Sequence, residues 1–108
     1  MFNLFSGATK SFEELDGIEF KTKFNSTKNA VLLDVRTPGE FQSGHIKGAK
    51  NIDFYSSDFR DKVNQLDKDK EYFLYCRSGA RSASACNMMA KAGFKVYNLD
   101  GGIGEWPR

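Results

Sequence analysis

Short extended runs alternate with stretches of helical spacing along the chain, and that alternation narrows the fold more than any other feature. Val31–Arg36 is an apolar run with β-branched residues and Glu71–Cys76 a second apolar run, as strands buried on both faces are. Ala49–Asp53 and Lys95–Leu99 are expected as two further short strands, and another extended segment is expected around Lys10–Glu14. Asp16 followed by Glu19 is a capping-box pattern that opens a helix over about 17–25, with Ile18, Phe20 and Phe24 behind it. Pro38 starts a short helix that ends near Ser43. Ser57 as N-cap, followed by Phe59, Val63 and Leu66, predicts a helix over about 58–66. Ser82–Ala92 places Ala85, Met88, Met89 and Ala92 at helical spacing, and Gly93 ends it. Strands joined through helices require crossover connections, which build a mainly parallel sheet with helices on both faces. The expectation is an α/β domain with a small sheet of about five strands, covering 10–108 after a loose segment at 1–9.

Composition excludes several classes. The 108 residues provide one core, and 40% hydrophobic with 28% charged residues is a globular balance, not a disordered one. No stretch approaches the ~18 apolar residues of a membrane span. Met1–Phe5 lacks the basic start of an export signal, so the expected location is cytoplasmic and no membrane partner is implied. A net charge of +2, spread along the chain, argues against a nucleic-acid partner. Two cysteines and one histidine cannot supply a Cys₄ or Cys₂His₂ zinc site. Both cysteines are expected as free thiols.

The segment that carries chemistry is Tyr75-Cys76-Arg77-Ser78-Gly79-Ala80-Arg81-Ser82. It sets a thiol at the carboxyl end of a buried strand, then a tight glycine-containing loop, then a helix start, where ligands of open parallel sheets bind. Backbone N–H groups of such a loop converge as an anion nest, and the helix N-terminus adds further donors and partial positive charge. With Arg77 and Arg81 beside it, Cys76 is expected to ionise below the ordinary thiol value of roughly 8.5. Cys86 sits mid-helix among Ala85, Met88 and Met89 with no basic neighbour at helical spacing, and is read as core.

Four motifs in order resemble the single-domain rhodaneses, a family of sulfurtransferases. Besides the cysteine loop they are Leu33-Asp34-Val35-Arg36 with Glu40-Phe41, then Gly44-His45-Ile46-Lys47-Gly48-Ala49 with Asn51-Ile52, and last Leu99-Asp100-Gly101-Gly102-Ile103 with Trp106. The resemblance implies a rhodanese-like fold and a Cys76 thiolate that takes the outer sulfur of a donor such as thiosulfate, becoming a persulfide. A thiophilic acceptor, cyanide or a thiol, then removes that sulfur, and a protein acceptor fits the same scheme. It implies that backbone N–H groups of Arg77, Ser78, Gly79, Ala80, Arg81 and Ser82 stabilise the terminal sulfur, and that Arg77, with Arg81, attracts the anionic donor. No metal or organic cofactor is called for.

The remaining motif residues are read as supporting structure. Arg36 with Glu40 is expected to tie the strand to the following turn, with Asp34 beside them at the strand end. His45, the only histidine, is expected to hydrogen-bond its own turn, and Trp106 to close the core. Two alternatives stand beside sulfur transfer. One is a binding or regulatory module of the same fold without turnover. The other is an arsenate reductase or phosphatase, which in this fold resembles the chain but has a longer Cys-x5-Arg loop; here Arg81 makes it Cys-x4-Arg.

Overall fold

The computed structural model describes residues 11–108, so the segment at 1–9 and Lys10 lie outside the described residues. The elements run β1 (Glu13–Leu15), α1 (Gly17–Ser26), β2 (Ala30–Asp34), α2 (Pro38–Gln42), β3 (Lys50–Asn51), α3 (Phe59–Asn64), β4 (Glu71–Tyr75), α4 (Ala80–Lys91) and β5 (Lys95–Leu99), with a 3₁₀ turn at Ile103–Glu105. The strands form one sheet in the order β1-β5-β4-β2-β3, and every neighbouring pair is parallel. The expected five-strand parallel architecture is therefore the one observed.

Side-chain alternation splits the core into two layers. On one face Leu33, Val35, Leu74, Cys76 and Val96 pack with Phe59 and Val63 of α3 and with Ala85, Cys86 and Met89 of α4. On the other, Leu32, Phe73, Tyr75, Tyr97 and Leu99 pack with Phe20 of α1, and Trp106 closes over them. Phe20 has no exposed surface and meets Phe73 and Trp106 edge-on, with centroids 5.4 and 6.1 Å away. The capping box at Asp16 and Glu19 is present with both reciprocal bonds, which fixes where α1 begins.

Element ends differ from expectation for local reasons. β2 stops at Asp34, because the Asp34 carboxylate accepts the Arg36 N–H at 2.9 Å and turns the chain two residues early. β3 is only two residues long, and β4 ends at Tyr75. Ser57 is not the cap of α3: Asp58 holds that position, and its carboxylate accepts from the Ser56 hydroxyl rather than capping the helix. α4 begins two residues earlier than the Ser82 start expected. Gly79 adopts a left-handed conformation (φ 98°), and its carbonyl accepts from Ala83 N–H at 3.0 Å, closing the first turn.

The segment after β5 supports the cysteine loop from below. Ile103 N–H donates to the Cys76 carbonyl at 2.9 Å. Gly102 lies at φ 86°, and a Cβ on it would stand 2.0 Å from the Arg77 carbonyl oxygen. Gly104, by contrast, has no positive φ and nothing within 4 Å of its Cβ position. Gly102→Ala is expected to cost about 2–4 kcal/mol in urea unfolding, through strain and displacement of the loop, whereas Gly104→Ala stays within about 1 kcal/mol of wild type.

Candidate active site

Cys76 follows β4 directly and has no exposed surface. Its Sγ accepts from Gly79 N–H at 3.1 Å, from Ser82 N–H at 3.4 Å and from the Ser82 hydroxyl at 3.4 Å. The early start of α4 produces this geometry: Ser82 sits in the first helical turn, where N–H groups have no intrahelical acceptor and point at the sulfur. Burial pushes the thiol up, but the Ser82 hydroxyl and the N–H groups of Ser82, Gly79 and Ser78 together outweigh it, and Cys76 ionises below its ordinary range. The direction matches the sequence reading, although the cause is donors aimed at sulfur more than the nearby arginines. Of the six loop residues named from the sequence, Gly79 and Ser82 touch Sγ, Ser78 acts on its ionisation, and Arg77 and Ala80 face solvent.

Arg81 is engaged elsewhere. Its guanidinium forms a bidentate pair with Glu40, with Nη1–Oε1 at 2.8 Å and Nη2–Oε2 at 3.1 Å, and lies 5.4 Å from the Tyr55 ring. Glu40 also accepts from Thr37 N–H in the capping box of α2. Bonding to Arg81 first, and to Thr37 next, holds the Glu40 carboxyl at about 2. The expected Arg36–Glu40 tie is therefore corrected: Glu40 belongs to Arg81, and Arg36 folds back on Asp34. Arg36 Nη2 donates to Asp34 Oδ2 at 2.7 Å and to the Gly44 carbonyl at 2.6 Å, and both side chains are buried. This pair joins β2 to the turn at Gly44 as corner structure. His45, expected to hydrogen-bond its own turn, instead bonds through Nδ1 to the carbonyl of Phe41 in α2 at 2.8 Å, and its ring stacks on Phe41 at 3.7 Å.

Cys86 lies wholly inside the core, where burial first, then the negative charges of Glu14 and Cys76, push its thiol well up. The sequence reading missed Asn98. This buried β5 residue donates from Nδ2 to the Gly79 carbonyl at 3.2 Å and to Glu14 Oε1 at 2.8 Å. The available signal was a lone amide within the strand run Lys95–Leu99.

A family model described as the rhodanese-like domain matches residues 18–108. The chain belongs to the rhodanese-like family. A thiosulfate sulfurtransferase, GlpE, from Ectopseudomonas mendocina is 37% identical over 74% of this chain and 72% of its own. The uncharacterized protein YqhL of Bacillus subtilis is 41% identical over 73% of this chain and 62% of its own, so the rhodanese-like chain spans about three-fifths of that relative. The crystal structure of a rhodanese-like domain protein from Staphylococcus aureus superposes with a TM-score of 0.76 at 29% identity, covering 89% of this chain and 92% of that one.

The Glu40–Arg81 pair supplies a pH test. Because the Glu40 carboxyl is depressed from 4.5 to about 2, its contribution to stability is fully present above pH 4.5 and is lost as pH falls through about 2. With both side chains partly exposed, at 27% and 18%, solvent screening reduces that contribution to about 1 kcal/mol. Glu40→Gln should lower stability by that amount at pH 7 in urea titrations, and the difference should close towards pH 2.

Proposed function

We propose that the protein is a sulfurtransferase that carries sulfane sulfur as a persulfide on Cys76. The observation that carries this reading is the set of donors converging on a thiol with no exposed surface. Such a cradle favours the thiolate, the form that attacks sulfur. The name of the Ectopseudomonas mendocina relative, thiosulfate sulfurtransferase, supports the same chemistry and suggests thiosulfate as a first donor to test.

The first step forms a bond between Cys76 Sγ and the outer sulfur of thiosulfate. The sulfur–sulfur bond of thiosulfate breaks, and sulfite departs with its electron pair. The product is a Cys76 persulfide whose terminal sulfur bears the negative charge, and the N–H groups of the loop are the donors nearest to stabilise it. Cyanide then attacks that terminal sulfur, forms thiocyanate and returns the thiolate; a thiol acceptor leaves as its own persulfide. Exposed Arg77, Ser78 and Ala80 form the outer face of the loop, through which the donor reaches Cys76. Arg77 is the guanidinium of the loop suited to attract an anionic donor, because Arg81 is paired with Glu40.

Spacing disfavours an oxyanion enzyme. With Arg81 five positions after Cys76, the Cys-x4-Arg loop is one residue shorter than the Cys-x5-Arg loop of the oxyanion enzymes, and the shorter ring suits a single added sulfur atom better than a tetrahedral phosphoryl or arsenate group. Intact-protein mass spectrometry after incubation with thiosulfate should show a gain of one sulfur, mapped to Cys76 and removed by cyanide. Cys76→Ser should abolish both the gain and thiocyanate production, and Cys86→Ser should retain them. An unmodified Cys76 after thiosulfate and after a glutathione persulfide donor would favour a binding module instead.

A further inference from the structure

The Ser82 hydroxyl has one proton and two acceptors within reach: Cys76 Sγ at 3.4 Å and the Gly79 carbonyl oxygen at 3.2 Å. Only a proton aimed at sulfur helps to hold the thiolate, and distance alone does not favour that choice. The carbonyl, however, is already served. Ala83 N–H donates to it at 3.0 Å along α4, and Asn98 Nδ2 donates to it at 3.2 Å from β5. Two donors fill the two lone pairs of one carbonyl oxygen.

The orientation of Asn98 is not arbitrary. Its Nδ2 faces two groups that only accept here, the Gly79 carbonyl and Glu14 Oε1, so the amide nitrogen must lie on that side. Its Oδ1 is buried and finds no donor among the described residues, a cost that an apolar side chain at this site would avoid. We propose that Asn98 is a positioning residue: by occupying the Gly79 carbonyl it commits the Ser82 hydroxyl proton to Cys76 Sγ. This role rests on the reading of Cys76 as the reactive thiol. Without the Asn98 donor a lone pair on Gly79 opens, the Ser82 hydroxyl rotates to it, and the sulfur loses a hydrogen bond.

The test is a pH titration of thiolate absorbance in the far ultraviolet, on a Cys86→Ala background with Cys76→Ser as the blank. Ser82→Ala should raise the midpoint by about one pH unit, the scale of one hydrogen bond to a charged group. Asn98→Leu, which conserves volume, should raise it by about half a unit or more. The double variant should titrate no higher than Ser82→Ala alone, because both act through one proton. Val96→Ala, on the same face of β5, should lower stability without moving the midpoint. An unmoved midpoint in Asn98→Leu, shifts that sum in the double variant, or an equal shift in Val96→Ala would each overturn the proposal. If Asn98→Leu does not fold, Asn98→Ala carries the same expectations. The titration needs no sulfur donor, so a chain that takes no sulfur from thiosulfate or from glutathione persulfide yet shows this cycle would count against sulfur transfer and leave the role of Asn98 standing.

Discussion

A thiol without exposed surface can ionise readily only if hydrogen bonds replace the water its anion would lose, and the elements around Cys76 are arranged to supply them. Desolvation acts against the Cys76 thiolate, and three donors within 3.4 Å of Sγ act for it. Those donors exist because Gly79 takes a left-handed conformation and turns the chain from β4 into α4 within a few residues. The turn in turn depends on Gly102, whose lack of a side chain lets the following segment press against the Arg77 carbonyl. Motifs distant in sequence thus converge on one atom.

Charge around the site is divided between two jobs. The Asp34–Arg36 pair is buried and is spent on the corner between β2 and the Gly44 turn. The Glu40–Arg81 pair joins the cap of α2 to the first turn of α4, so the helix that presents the donors is anchored by a second element. Because Glu40 offsets the Arg81 charge, stabilisation of the thiolate falls mainly to short-range hydrogen bonds. Short-range donors of this kind are screened by salt much less than exposed charges are.

Much of this was legible in the sequence. The order of strands and helices followed from breakers and caps, and the Asp16–Glu19 capping box is present where its spacing placed it. Lys95–Leu99 forms β5 with the boundaries its apolar run suggested. What was not legible depends on contacts across the fold. The partner of Glu40 could not be read from its neighbourhood, because Arg36 is four residues away in sequence while Arg81 arrives from another helix. The start of α4 was misplaced because its cap is a glycine with no side-chain bond, and the helix lacks the Ser or Asp signal that usually marks such a start. Asn98 escaped notice because an isolated amide in a strand gives no sign of which carbonyl it will meet.

The sheet has a further property that belongs to its borders rather than its centre. Among the described residues its outer strands, β1 and β3, contain three and two residues, while β2, β4 and β5 contain five each. Unpaired N–H and C=O groups along a sheet border are a template on which another chain can polymerise. A ladder as brief as that of β3, which bears an exposed Lys50, offers few such groups in a row for a foreign strand to register. On that border the apolar interior strands that build the cradle are separated from any incoming chain by a strand too short to template one.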